Sequence, residues 1–212
     1  MEIIKMEDWE RRELFEVFGK SDWPFYFVSF DLDVTRVYEY AHDNHLSFYL
    51  TLTYLVSKAA ASVRNFRYRI HGEEIHVLDT LKPSFTWLDE GSNVFKIVNC
   101  ALEPTVKGFV KKASKLAKEQ KSFLPEKDTE DLIFISSLPW IPTTAIGSEH
   151  NLDKNDYFPR ISWGKYVGRS GRKVLNVSVD VNHRIIDGQH IGQFYEELCR
   201  QIESLGALEI KA

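Results

Sequence analysis

Between Lys173 and Leu205 the spacing of apolar residues changes period once. Leu175, Val177, Val179, Val181 and His183 alternate with Asn176, Ser178, Asp180 and Asn182, the period of two expected of a strand with one apolar and one polar face. Ile191, Phe194, Tyr195, Leu198, Ile202 and Leu205 then recur at helical spacing, so a helix lays one stripe on the core. The change falls at His183-Arg-Ile-Ile-Asp187-Gly188. His183 continues the apolar face, which predicts a partly buried ring at the strand end. Asp187 suits a tight turn whose backbone Gly188 relieves.

The rest of the chain reads in the same way. Asp8 is placed to cap a helix running through Phe18, with Trp9, Leu14, Phe15 and Phe18 apolar and Arg11 and Arg12 between them. The aromatic run from Trp23 to Val34 is β-prone. Thr35 caps a short helix to Asn44, and Ser47 caps a second one, apolar on most sides and so deeply buried. A turn at His71-Gly-Glu-Glu predicts a hairpin, and the runs from Pro83 and Asn93 predict two further strands. Pro104 opens an amphipathic helix with a lysine-rich, solvated face. Leu132–Trp140 is a strand that stops at Pro139. Residues 141–156 are polar and irregular, a long surface loop, and a second hairpin turns at Arg169-Ser-Gly. The order predicts an α/β chain (an α+β sandwich), one domain over 1–212, with a mixed, largely antiparallel sheet and helices packed on it.

Composition narrows the functional classes. The chain has 212 residues, 43% hydrophobic and 27% charged, with net charge −4, ordinary for a globular protein. No cationic run interleaves with aromatics, which argues against a nucleic-acid partner. Aromatic residues reach 13%, enough to line a flat apolar pocket as well as a core. Cys100 and Cys199 make no disulfide framework. The first residues hold no long apolar stretch and no run reaches about 20 apolar residues, so no signal peptide, a cytoplasmic location and no membrane partner are expected.

An imidazole and a carboxylate held between a strand and a helix can form a reaction centre. On chemistry alone a His and an Asp four residues apart are commoner as a core histidine and a turn aspartate. The wider pattern makes the signal specific. Asn-His-Arg-Ile-Ile-Asp-Gly resembles the His-x-x-x-Asp-Gly signature of the coenzyme A-dependent acyltransferases, shared by chloramphenicol acetyltransferases and the acyltransferase components of 2-oxo acid dehydrogenase complexes. Asn182, where a second His is usual in the former, looks more like the latter. Five further segments, in order, are similar to chloramphenicol acetyltransferases: Trp9-Glu-Arg-Arg-Glu-Leu-Phe-Glu, the helix after Ser47, Pro83-Ser-Phe-Thr, Ser136-Ser-Leu-Pro-Trp140 and Pro159-Arg-Ile-Ser-Trp-Gly-Lys-Tyr166. With the chain's length they favour a free-standing member of that family.

The resemblance implies roles residue by residue. His183 is the general base and Ser136 the oxyanion donor, while Asp187 pairs with Arg11 to hold the turn that carries His183. Tyr49, Trp140, Lys165 and Tyr166 fall at positions near the coenzyme A channel, and Ser47 stands where the family has a cationic residue. Phe18, Phe25, Phe27, Phe95 and Ser162 fall in the acceptor region, with Phe18 replacing a Tyr and Ser162 a Thr. The implied reaction moves acetyl from acetyl-coenzyme A, a cosubstrate with no bound cofactor and no metal, to a small-molecule hydroxyl. A homotrimer with its sites between subunits is implied, and a use in antibiotic resistance if chloramphenicol is the acceptor. Two other readings stand beside it: an acyltransferase of the dehydrogenase-complex type acting on a dihydrolipoyl or other thiol or amine, and a non-catalytic trimeric binding module.

Overall fold

The structure, a computed structural model, describes residues 2–126 and 129–206. The chain begins with strand β1 (Glu2–Lys5), a 3-10 turn (Met6–Asp8) and helix α1 (Arg12–Gly19). Strand β2 (Phe25–Asp33) leads into helices α2 (Thr35–Asp43) and α3 (Phe48–Ser62). Strands β3 (Tyr68–His71) and β4 (Glu74–Val77) form a hairpin, followed by β5 (Lys82–Leu88), β6 (Phe95–Asn99) and helix α4 (Val106–Glu119). Strands β7 (Leu132–Leu138), β8 (Arg160–Gly164), β9 (Val167–Arg169) and β10 (Arg172–Asn182) precede the last helix, α5 (Gly188–Glu203).

The main sheet has the order β2-β10-β8-β7-β5-β6, with β9 also on β10. Only β5–β7 and β7–β8 are parallel, so the sheet is mixed and mostly antiparallel. A small second sheet pairs β1 with the β3–β4 hairpin. The short β1 was not expected; with four residues and only one of them partly buried, it carries no period to read.

Residues directly opposite on neighbouring strands share a face, so the registers sort the sheet into two surfaces. On one, Leu32, Val177, Val179, Val181, Ile161, Ile133, Ile135, Phe85 and Val98 are all buried, under α3, which packs between α4 and α5. Burial of each such side chain contributes about 1.5–3 kcal/mol. The other face carries Phe25, Phe27 and Ser29, then Ser178, Asp180 and Asn182, then Arg160 and Ser162, then Phe134 and Ser136. The alternation in β10 thus marks the right faces. Its polar face is not open to solvent at one end, where Ser178, Asp180 and Asn182 are buried beneath residues 144–156.

Several helix starts differ from the sequence reading. Asp8 ends the 3-10 turn rather than capping α1, which begins after Arg11 with no side-chain cap. Thr35 is the first residue of α2; its N–H and hydroxyl both donate to Asp33. Pro104 does not open α4 but precedes its cap, Thr105, whose hydroxyl accepts from the Gly108 N–H. Ser47 caps α3 as read, accepting from Leu50 N at 3.3 Å. In the β9–β10 turn Ser170 and Gly171 have φ of 51° and 78°, the left-handed pair of a two-residue hairpin.

Candidate active site

The turn from Asn182 to Asp187 is built by saturating its own carbonyls. Asn182 O accepts from Ile185 N and Ile186 N, Ile185 O accepts from Asn65 Nδ2 at 2.8 Å, and Ile186 O accepts from His183 Nδ1 at 3.0 Å. A carbonyl can only accept, so Nδ1 carries the proton and Nε2 presents a lone pair. The imidazole is clamped between two rings, Phe18 at 4.0 Å and 26°, and Tyr26 at 4.4 Å and 13°. His183 N also donates to Pro24 O at 2.8 Å, extending the β10–β2 ladder one residue past the strand. Tautomer, ring plane and backbone are therefore all set before any substrate arrives, the preorganisation a base requires.

Asp187 does not sit in a glycine-relieved tight turn: it is the N-cap of α5, its Oδ1 accepting from Gln189 N, and Gly188 is the first helical residue. Its Oδ2 lies 2.9 Å from Arg11 Nη1, with side-chain exposures of 26% and 14%. Burial raises the Asp187 carboxyl, but the Arg11 bond and the neighbouring His190 outweigh it and hold it below the usual carboxylate value. His190, which the sequence reading overlooked, completes a capping box: its Nδ1 accepts from Asp187 N at 3.1 Å. Burial keeps the His190 imidazole below its ordinary pKa. Arg184, also overlooked, stacks on Phe15 at 3.7 Å and donates to Lys154 O and Asn155 Oδ1. It thereby joins α1, the turn and the 141–156 segment.

That segment is the irregular surface loop expected, and it is tied down on the sheet beneath it. Asn182 Nδ2 donates to the carbonyls of Lys154 and Asp156, and Ser178 Oγ accepts from Ile146 N. The side chain of His150 is fully buried and stacks on Phe25 at 3.8 Å. His150 Nδ1 lies 3.3 Å from Asp156, and Nε2 lies 3.0 Å from Asp180 but off the line of a good hydrogen bond. Arg160 closes the cluster on Asp156 at 2.7 Å. Asp180 in a central strand was the signal available in sequence: a charge there needs a buried partner.

On the helix side of the sheet, at the C-terminal ends of β7 and β8, lies a slot of about 230 Å³ lined by Phe48, Tyr49, Ser137, Pro139, Trp163, Gly164, Lys165 and Tyr166. Tyr49 is held by donation to Thr86 O at 2.9 Å, and burial pushes its phenol up. A side chain at Gly164 would collide with Thr143, whose N would stand 2.8 Å from the added carbon, so only glycine lets the 141–156 segment cross β8. Tyr49, Lys165 and Tyr166 thus come together. Trp140, 67% exposed, stands outside the lining. Ser137 lines the slot, and Ser136 beside it turns to the opposite face of the sheet.

Ser136 pairs with Ser162, and Ser162 with Ser178. His183 is therefore five residues along and two strands across, about 17 Å by about 10 Å, and its ring lies on the helix face with Tyr26. Phe25, Phe27, Ser162 and Ser136 share the other face. So does Phe95, opposite Leu88 on the outermost strand; it is 46% exposed and packs edge-on against Phe123. One chain brings His183 to Phe18, and Ser136 to Ser162, but keeps these two groups apart.

Comparison with known proteins gives a consistent set. The family model for chloramphenicol acetyltransferase matches residues 1–199. Chloramphenicol acetyltransferase 3 of Escherichia coli is 27% identical over 202 residues, covering 92% of this chain and 94% of its own. A solved chloramphenicol acetyltransferase superposes with a TM-score of 0.84 at 23% identity, over 95% of this chain and 99% of the other. The cubic core of a pyruvate dehydrogenase multienzyme complex shares the fold at a TM-score of 0.67 and 16% identity, over 93% and 90% of the two chains.

Proposed function

Since this chain belongs to the chloramphenicol acetyltransferase family, we propose that it is an acyltransferase, one domain over 1–212, moving acetyl from acetyl-coenzyme A to the hydroxyl of a small acceptor. His183 Nε2 takes the hydroxyl proton as the oxygen attacks the thioester carbon. The tetrahedral oxyanion accepts a hydrogen bond from the Ser136 hydroxyl, a contact worth about 3 kcal/mol of barrier. Collapse expels the coenzyme A thiolate, which takes the proton back from Nε2. The slot of Tyr49, Lys165 and Tyr166 holds the pantetheine arm, with the exposed Trp140 next in sequence to the lining Pro139 and a lysine available to phosphate. Asp187 and Arg11 are positioning residues for the turn. No bound cofactor is needed. Among the described residues no helix is long and apolar enough to cross a membrane, in keeping with a cytoplasmic enzyme.

The observation that carries this reading is the separation of base and oxyanion donor on opposite faces of one sheet. They can serve one reaction only if His183 of one copy meets Ser136 of another, in the homotrimer the family implies. The exposed apolar groups on the same sheet face as Ser136, Phe27 at 41% among them, suit cover by a neighbouring copy. The test mixes two inactive variants. His183→Ala and Ser136→Ala, unfolded together in equal amounts and refolded, should regain about a quarter of wild-type activity, because half of each partner in a random interface carries the needed residue. No recovery, with trimers formed, would refute a shared site.

Chloramphenicol is expected to be acetylated with a raised KM. The Phe18 ring covers His183 but has no hydroxyl to orient a polar acceptor. Phe18→Tyr should lower the KM for chloramphenicol about fivefold to thirtyfold, the value of about 1–2 kcal/mol for one restored buried hydrogen bond. Initial rates across chloramphenicol concentrations check it. Thioester cleavage with dihydrolipoamide and none with chloramphenicol would instead favour the thiol-acceptor reading that Asn182 suggests.

A further inference from the structure

We propose that Lys173 is a phosphate-binding residue for coenzyme A, supplying at the slot's mouth the positive charge that Ser47 does not. The proposal rests on the coenzyme A reading of the slot given above. The Lys173 backbone is fixed at the start of β10: its N–H donates to Thr35 Oγ1 and its carbonyl accepts from Val34 N, both at 2.8 Å. Its ammonium lies 4.1 Å from the centre of the Tyr38 ring and 5.1 Å from that of Tyr166, and Tyr166 lines the slot. The other cations of this hairpin are paired, Arg169 with Asp31 at 2.7 Å and Arg172 with Asp33 at 3.5 Å. Lys173, partly buried, has no carboxylate within ion-pair distance among the described residues, and neither has Lys165, which lines the slot with Tyr166. The partners given for its ammonium are two ring faces, which attract a cation but carry no counter-charge. Two unpaired ammonium groups flanking an aromatic slot match a ligand with an apolar arm and a polyanionic end, which is the shape of coenzyme A. Ser47 cannot contribute, being neutral and engaged in capping α3.

The test is calorimetry of the intact protein with coenzyme A, dephospho-coenzyme A and pantetheine over a range of salt concentrations. Wild-type protein that fails to bind coenzyme A would remove the slot reading and this inference together. If wild type binds, Lys173→Gln should weaken coenzyme A about tenfold, flatten the salt dependence and leave pantetheine binding unchanged. Lys173→Arg should recover most of the affinity, since charge and reach are kept. On dephospho-coenzyme A, persistence of the loss assigns the diphosphate as the contact, and its disappearance assigns the 3′-phosphate. Coenzyme A affinity within twofold of wild type in Lys173→Gln, or an equal loss on pantetheine, would overturn the role and leave Lys173 as packing over two tyrosines.

Discussion

His183→Ala is expected to reduce acetyl transfer by about a hundredfold to ten-thousandfold, the range assigned to a positioned general base, while the chain stays folded. The imidazole donates to Ile186 O and lies between Phe18 and Tyr26, so every feature that fixes it points Nε2 outward for use. Its removal sacrifices one hydrogen bond and two ring contacts at a half-buried position. That costs about 1–3 kcal/mol, which a core of this size tolerates. Thiol release from acetyl-coenzyme A at saturating substrate measures the first effect and thermal unfolding the second. Turnover near the wild-type value would mean that another group takes the proton.

Asp187→Asn is expected to cost about 3 kcal/mol of stability, lowering the melting temperature by about 6–12 °C, and to reduce transfer about tenfold to a hundredfold by loosening the turn under His183. Asn keeps the cap, since its side-chain oxygen can still accept from Gln189 N. What it removes is the charge facing Arg11, whose Nε and Nη2 are buried without a partner. Asp187 is the only carboxylate that neutralises that cation among the described residues. The pH dependence has a definite sign. The folded carboxyl lies below its unfolded value of about 4, so the stabilisation is complete above that pH and is lost as the pH falls through the folded value. His190, depressed by burial, adds to the same trend from about pH 6.5 downward. An unmoved melting temperature in Asp187→Asn would show that the pair stabilises nothing.

What could be read in the chain itself was whatever depends on near neighbours. The alternation from Leu175 to Val181 determined a strand and its core face, and it correctly put His183 on that face. Ser47, with an apolar run behind it, determined a capped and buried helix. The hairpin at Gly72 and the strand stop at Pro139 follow from backbone restrictions that act over two or three residues. His183, Asp187, Arg11 and Ser136 could be nominated because resemblance preserves order along the chain, though not distance.

Other features arise only when distant segments meet. Ser178, Asp180 and Asn182 are polar by composition and buried in fact. Their partners, Ile146 N, His150 and the carbonyls of Lys154 and Asp156, come from a segment with no period, and nothing local in either stretch records the contact. His190 and Arg184 carry no local signal, and only the capping box and the Phe15 ring give them partners. Phe18, Phe25, Phe95 and Ser162 looked like one acceptor set. The strand registers instead divide them between two faces and opposite edges of the sheet, because side-chain direction reverses at every residue while pairing order is set by the whole chain. The sequence by itself determined which groups the protein carries and which local elements hold them. The tertiary structure decided that His183 and Ser136 of one chain cannot meet, since a hydrogen-bonded sheet fixes both their spacing and their opposite directions.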